Sequence, residues 1–243
     1  MRYPRAPITE AVMDIRVVPR DGLEVDVLRD LPPDLAQRYP GVHEQFRVTG
    51  AVQFGDAAPS TPTMNRTLVG FQRNHVSNDR LFRAQLDGWS FNKLAPYKSW
   101  EEFKEEGCEI WRWYRGIVGP ENISRVGLRY VNRLDLPLPF DDFEKYIRTV
   151  PNVAPDLPQG LSSFFMQLQI PHRDIAALLV LNMAMVPPAR ENVVSIVLDL
   201  DIFRVDSVPQ NEDELWLYFE QLRIAKNKAF EACLTDATRE LFY

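Results

Sequence analysis

Cysteine is scarce in this chain: 243 residues carry two, Cys108 and Cys233, with no CxxC spacing. A disulfide framework is excluded, and both residues are expected as small buried hydrophobes on helices, with a disulfide or a reactive thiol as the alternative. Three histidines, His43, His75 and His172, stand alone without a second ligand at metal-site spacing, which excludes a structural zinc site. Eleven glycines form no phosphate-cradling loop, and neither GxSxG nor HExxH occurs. The longest apolar run, Ile175 to Val186, is interrupted by Asn182 and is too short for a bilayer. No hydrophobic core follows the N-terminal arginines, so a secretory signal is not expected either. Basic charge is in deficit, 28 Lys and Arg against 34 Asp and Glu, a net charge of −6. Non-specific nucleic-acid binding is therefore disfavoured, and the expectation is a cytoplasmic protein with no membrane segment and no cofactor.

Apolar residues make up 45% of the chain and charged residues 26%, enough to build one large core without staples. Alternation marks the strands. Ala11, Met13, Ile15 and Val17 interleave with polar neighbours, and Val194 to Phe203 alternate in the same way. Between them, Phe46, Val48, Val52 and Phe54, then Met64 to Gln72 and Leu81 to Asp87, read as an antiparallel meander around a proline-rich turn at 56–63. Leu161 to Ile170 and Asp174 to Met185 are two more strands. The second is apolar on both faces (Leu179, Leu181, Met183; Leu178, Val180, Ala184), which predicts cover on both sides, as the centre of a two-layer core, the wall of an apolar cavity, or a subunit interface that would make a homodimer.

Helices are signalled by caps and by a 3–4 spacing. Ser99-Trp-Glu-Glu102 is a capping box, and Phe103, Ile110, Trp111, Tyr114 and Val118 follow on one face. Asn211 to Glu214 opens a second long helix with Leu215, Phe219, Leu222, Ala229, Cys233 and Ala237 apolar. Shorter helical pieces are read at Glu24 to Tyr39, interrupted at Pro32 and Pro33, and at Asp141 to Ile147. The order of elements repeats after roughly 113 residues. The expectation is thus an α+β protein of two pseudo-repeated β-α-β-β-β-α units, residues 1–120 and 121–243, packed as one continuous domain. Their strands would form a curved antiparallel sheet, or a closed barrel, covered by the two long helices. This topology resembles helix-grip and TATA-binding-protein-like arrangements, a likeness of fold that carries no function.

The stretch Arg125-Val-Gly-Leu-Arg129-Tyr-Val-Asn-Arg133 places three guanidiniums on one strand face, with Gly127 leaving a gap between the first two. Such a row needs anions. Internal carboxylates (Glu10 and Asp14 on the first strand, Asp199 and Asp201 on the last) would make it a salt-bridge lattice. An external carboxylate or phosphate would make it a binding surface, with Tyr130 and Asn132 nearby. The functional expectation is accordingly a non-enzymatic binding module for a small anionic ligand or a protein partner. Two alternatives stand beside it. Asp199 and Asp201, with Glu10 or Asp14, have the spacing to hold a divalent metal in a phosphoesterase or nucleotidyl-type enzyme, although only Glu10, Asp14 and Arg16 echo a triphosphate tunnel. A cavity between helices and sheet would instead suit an apolar-ligand carrier.

The blocks APITEAVMDIRV, FNKLAPYKSWEEF and ISRVGLRYVNRLDLP together resemble a sporadically distributed family of uncharacterised prokaryotic proteins of about this length. The likeness spans Ala6 to about Pro139 and rests most on Arg129 to Asn132. It implies an accessory role and brings no activity and no catalytic residues.

Overall fold

The computed structural model describes residues 3–51, 63–140 and 142–243. Val52, Phe54, the proline-rich turn up to residue 62 and Asp141 lie outside them. Nine strands are present in chain order: β1 (Ile8–Val18), β2 (Gly41–Ala51), β3 (Thr63–Asn74), β4 (Arg80–Gln85), β5 (Gly88–Leu94), β6 (Asn122–Pro137), β7 (Phe165–His172), β8 (Ala177–Val186) and β9 (Val193–Arg204). The helices are α1 (Pro33–Arg38), α2 (Trp100–Val118), α3 (Glu212–Cys233) and α4 (Asp236–Glu240). All strands join one antiparallel sheet in the order β2-β3-β4-β5-β1-β6-β9-β8-β7. The protein is thus α+β with a large antiparallel sheet. Among the described residues β2 and β7 are not paired with each other, so the sheet is open rather than closed into a barrel.

The seam at β1 and β6 joins the two halves through an extended ladder running from Ile8 opposite Asn132 to Val18 opposite Asn122. On both strands the alternation sets the faces. Ala11, Met13, Ile15, Val126, Leu128 and Leu134 are buried under the helices, while Glu10, Asp14, Arg125 and Arg129 project from the other face. Helix α2 buries Phe103, Ile110, Trp111, Tyr114 and Val118 as its spacing predicts. Each of the larger side chains contributes roughly 2–3 kcal/mol by leaving water. Trp111 meets Trp89 edge-on at 5.9 Å, and Phe103 stacks on Phe91 at 5.2 Å. Gly107 is what brings the helix this close: a Cβ there would lie 2.9 Å from the Met13 sulfur. At its start, the Ser99 hydroxyl accepts the Glu102 backbone N–H at 3.1 Å. Asn211 does the same for the Glu214 N–H at 2.8 Å, opening α3.

Several sequence expectations are corrected. Strand β5 was not foreseen, because the Leu86-Asp87 turn is short and Asn92 and Lys93 dilute the alternation of Trp89 and Phe91; the first half therefore has four strands between its helices where three were expected. The helical piece at Glu24 to Tyr39 is a 3₁₀ turn (Val25–Leu28) and the short α1, split where the prolines fall. The predicted helix near Asp141 is a single 3₁₀ turn, Phe143–Lys145. Strand β8 is covered on one side only: Leu179, Leu181 and Met183 are buried, whereas Leu178, Val180 and Ala184 stay half-buried on the open face. No described helix is long and apolar enough to cross a membrane.

Candidate functional site

The open face carries the arginine row, and each arginine meets an internal acceptor. Arg129 grips Asp199 with two bonds, Nε at 2.7 Å and Nη2 at 2.8 Å. This is a diagonal pair, since the backbone partner of Arg129 is Asp201. Arg125 donates to Asp14 and, at 3.2 Å, to Asp201. It does so through the space left by Gly127, where a Cβ would stand 2.7 Å from its Nη1. Arg125 faces Arg16 across the ladder, and Asp14 bridges the two, holding the Arg16 Nε at 3.3 Å. Arg133 reaches Asp135 at 3.1 Å, Ser195 Oγ at 3.0 Å and the Pro187 carbonyl at 2.7 Å. Burial pushes the Asp201 carboxyl above the usual carboxylate range despite Arg125 and Arg129 beside it.

Three of the carboxylates singled out for a metal, Asp14, Asp199 and Asp201, are thus engaged by arginine. Asp199 also accepts the Asn182 amide at 3.1 Å, and Glu10 accepts the Asn92 amide at 2.7 Å. Among the described residues no group of three or more His, Cys, Asp or Glu side chains converges to hold a metal ion. Glu10, Asp14 and Arg129 do share a polar hollow of about 320 Å³ with Arg16 and Arg83. Tyr130 and Asn132 do not belong there. Their even numbers put them on the helix-covered face, opposite the arginines, where they are 2% exposed each.

On that covered face they line a second cleft, of about 840 Å³, which falls within the range of small-molecule sites. One wall is α3, with Arg223, Ile224, Lys226 and Phe230; the other is the segment from Tyr97 to Glu101 at the start of α2. Pro7 and Ile8, Tyr130 and Asn132, and Tyr3 complete the lining. The walls are fixed by Glu220 of α3, which accepts Trp100 Nε1 at 2.7 Å and Lys104 Nζ at 2.9 Å from α2. Although burial opposes it, Lys104 and Trp100 hold the Glu220 carboxyl below its ordinary range. The Tyr3 hydroxyl donates to Glu231 at 2.8 Å, while Arg239 holds the same carboxylate at 2.8 Å. Burial, and then Glu231, pushes the Tyr3 phenol up to about 12.

Lys226 is the unusual group. It is 7% exposed, and its amine sits 3.5 Å from the centre of the Tyr130 ring. Among the described residues no acceptor takes its protons and no carboxylate lies within ion-pair distance. Burial pushes the amine down to about 7, and the neighbouring charge of Arg223 adds to the shift. Tyr130 hydrogen-bonds Tyr97 hydroxyl to hydroxyl at 2.8 Å, and burial followed by that contact drives its phenol far up. The cleft is lined by Lys98, Arg223, Lys226 and Lys228 against Glu101 and Glu231, a positive balance in an acidic chain.

Sequence reasoning passed over Lys226, yet a signal was present. The apolar face of α3 runs 215, 219, 222, 226, 229, 233, alternating steps of four and three, and lysine occupies one of its positions. A cation inside an apolar stripe demands a partner or a function. Both cysteines sit on the long helices as expected, but only Cys233 is buried and Cys108 is half-buried; burial raises each thiol, Cys108 to about 11. A scan against protein-family models, a search of curated proteins and a search of solved structures return no match.

Proposed function

We propose that this protein is a non-enzymatic binding module whose helix-side cleft receives a small ligand with an apolar body and an anionic group. One observation carries the reading: the buried Lys226 amine lines the cleft with no counter-ion among the described residues, beside Arg223 and Lys228. An anion supplied by a ligand would relieve the cost of burying that charge and favour the ammonium form. The arginine row supports this placement by contrast, since its charges already have carboxylate partners. The reading joins two earlier expectations, an anionic ligand and a cavity between helix and sheet, at a site neither had located.

Calorimetric titration with decanoate, a simple apolar carboxylate, tests it. The native protein binds decanoate, Lys226→Met weakens binding at least tenfold, as removal of a charge-assisted contact should, and Arg129→Ala leaves it intact. Unchanged affinity in Lys226→Met, or loss in Arg129→Ala, would overturn the assignment and move the site to the open face. As further parts of the same reading we place the protein in the cytoplasm and in the prokaryotic family that its sequence blocks resemble, with its two halves as a diverged repeat. Self-association is a second reading, favoured by the half-buried strip of Leu178, Val180 and Ala184 on β8; a monomeric mass in light scattering would end it.

A further inference from the structure

The chain has six lysines, and their surroundings differ sharply. Lys93 is as buried as Lys226 but is paired with Asp79. Lys98 lies within reach of Glu102 at 4.0 Å, and Lys104 is bound to Glu220. Lys145 and Lys228 are more exposed than either buried amine. Lys226 alone combines burial, the absence of an acidic neighbour among the described residues and an open path into a cleft of ligand size.

A desolvated amine next to another cation is a nucleophile. Resting on the binding reading above, we propose that Lys226 captures its ligand covalently and reversibly through an imine, so that the ligand class is an aldehyde or ketone that also bears an anionic group. The Nζ lone pair attacks the carbonyl carbon, a proton passes from nitrogen to the carbonyl oxygen, and the carbinolamine loses water to give the C=N bond. Nothing is oxidised or reduced, and hydrolysis returns both partners unchanged. Lys228, together with Arg223, which also holds Glu220 at 3.2 Å, adds positive charge that draws the anionic group to the Lys226 end of the cleft. The half-apolar walls, with Ile8, Ile224, Trp100 and Phe230, limit the water that would reverse the step. Lys226 also titrates near 7, so a large fraction of it is the neutral, reactive amine at neutral pH, whereas an ordinary lysine is almost wholly protonated.

The test compares 2-oxodecanoate with decanoate on the full chain at pH 7. Calorimetry reads binding of each, and sodium cyanoborohydride reduces any imine to a stable amine that peptide mass spectrometry locates. The expected result is binding of both acids and a mass gain equal to 2-oxodecanoic acid less one oxygen atom. That label sits on Lys226 at least tenfold above any other lysine, and Lys226→Arg, which keeps the charge, abolishes it. If both acids bind but no adduct forms, or the label spreads evenly over exposed lysines, imine capture is wrong while the binding site stands. If neither acid binds, both readings fall together.

Discussion

Arg129 and Tyr130 are neighbours in sequence and belong to different worlds. On the open face of β6, Arg129 closes a two-bond grip on Asp199, and every arginine of the row has an internal acceptor. On the covered face, Tyr130 lies under the amine of Lys226, which has none among the described residues. Both faces thus hold positive charge, half-exposed at Arg129 and buried at Lys226, but among the described residues only the open face answers it. A paired charge needs nothing further, because its desolvation is offset by Coulombic attraction and hydrogen bonds. An unpaired one keeps a standing free-energy cost that a ligand can remove. Lys93, equally buried but bound to Asp79, shows that this chain can pair a lysine where the role is structural.

The largest expected effect tests whether the Lys226 amine is under strain in the native state. Its proton affinity is lowered on folding, from the ordinary lysine value of 10.5 to about 7. Between those values the unfolded chain holds the proton and the folded one releases it, so stability rises with pH across this window, by up to about 1.4 kcal/mol per pH unit. Below pH 7 both states are protonated and the folded state carries the full penalty. Urea denaturation at pH 6, 7.5 and 9 should show Lys226→Met gaining most over the native protein at pH 6 and least at pH 9. A constant difference between the two proteins would mean that the amine is satisfied after all.

Next in size is the paired side of the comparison. Arg129→Ala leaves Asp199 buried with only the Asn182 amide, and a loss of about 3 kcal/mol is expected. Thermal or chemical denaturation reads it directly. A change below about 0.5 kcal/mol, typical of exposed pairs, would make the row a solvated surface instead of a lattice. The smallest effect sharpens the picture at one point. Gly127→Ala puts a methyl group where the Arg125 guanidinium lies, which displaces that side chain from Asp14 and Asp201 for a cost of about 1 kcal/mol. Arg125→Ala should then abolish most of the additional loss in a double-mutant cycle.

Much of the sheet was legible because alternation is a local signal. Ala11, Met13 and Ile15 on one face, and Glu10 and Asp14 on the other, fall where period two puts them. The pairing of Arg125 with Asp14 and Asp201 followed from the same parity. Parity also held the answer for Tyr130 and Asn132, whose even positions contradict a place beside the arginines. Strand β5 was obscured because Lys93 occupies a core-face position, and a buried lysine looks like a loop residue until Asp79 is brought beside it. The cleft was illegible for a deeper reason. Its walls come from residues near 7, 97, 130 and 226, and only the packing of α2 and α3, held by Glu220, brings them together. Sequence offered Lys226 as an oddity in an apolar stripe without showing the space it faces.

The ladder between β1 and β6 also determines what a half of this molecule would be. Residues 1–120 alone would bare the long edge of β1, and residues 121–243 the longer edge of β6, each with unspent backbone donors and acceptors beside a strip of apolar core. Neither edge is short, and the register shifts of the ladder lie only near its ends, so each fragment would present an adhesive template. The natural cap for either one is the other fragment, which makes the two halves a candidate pair for split-protein reassembly.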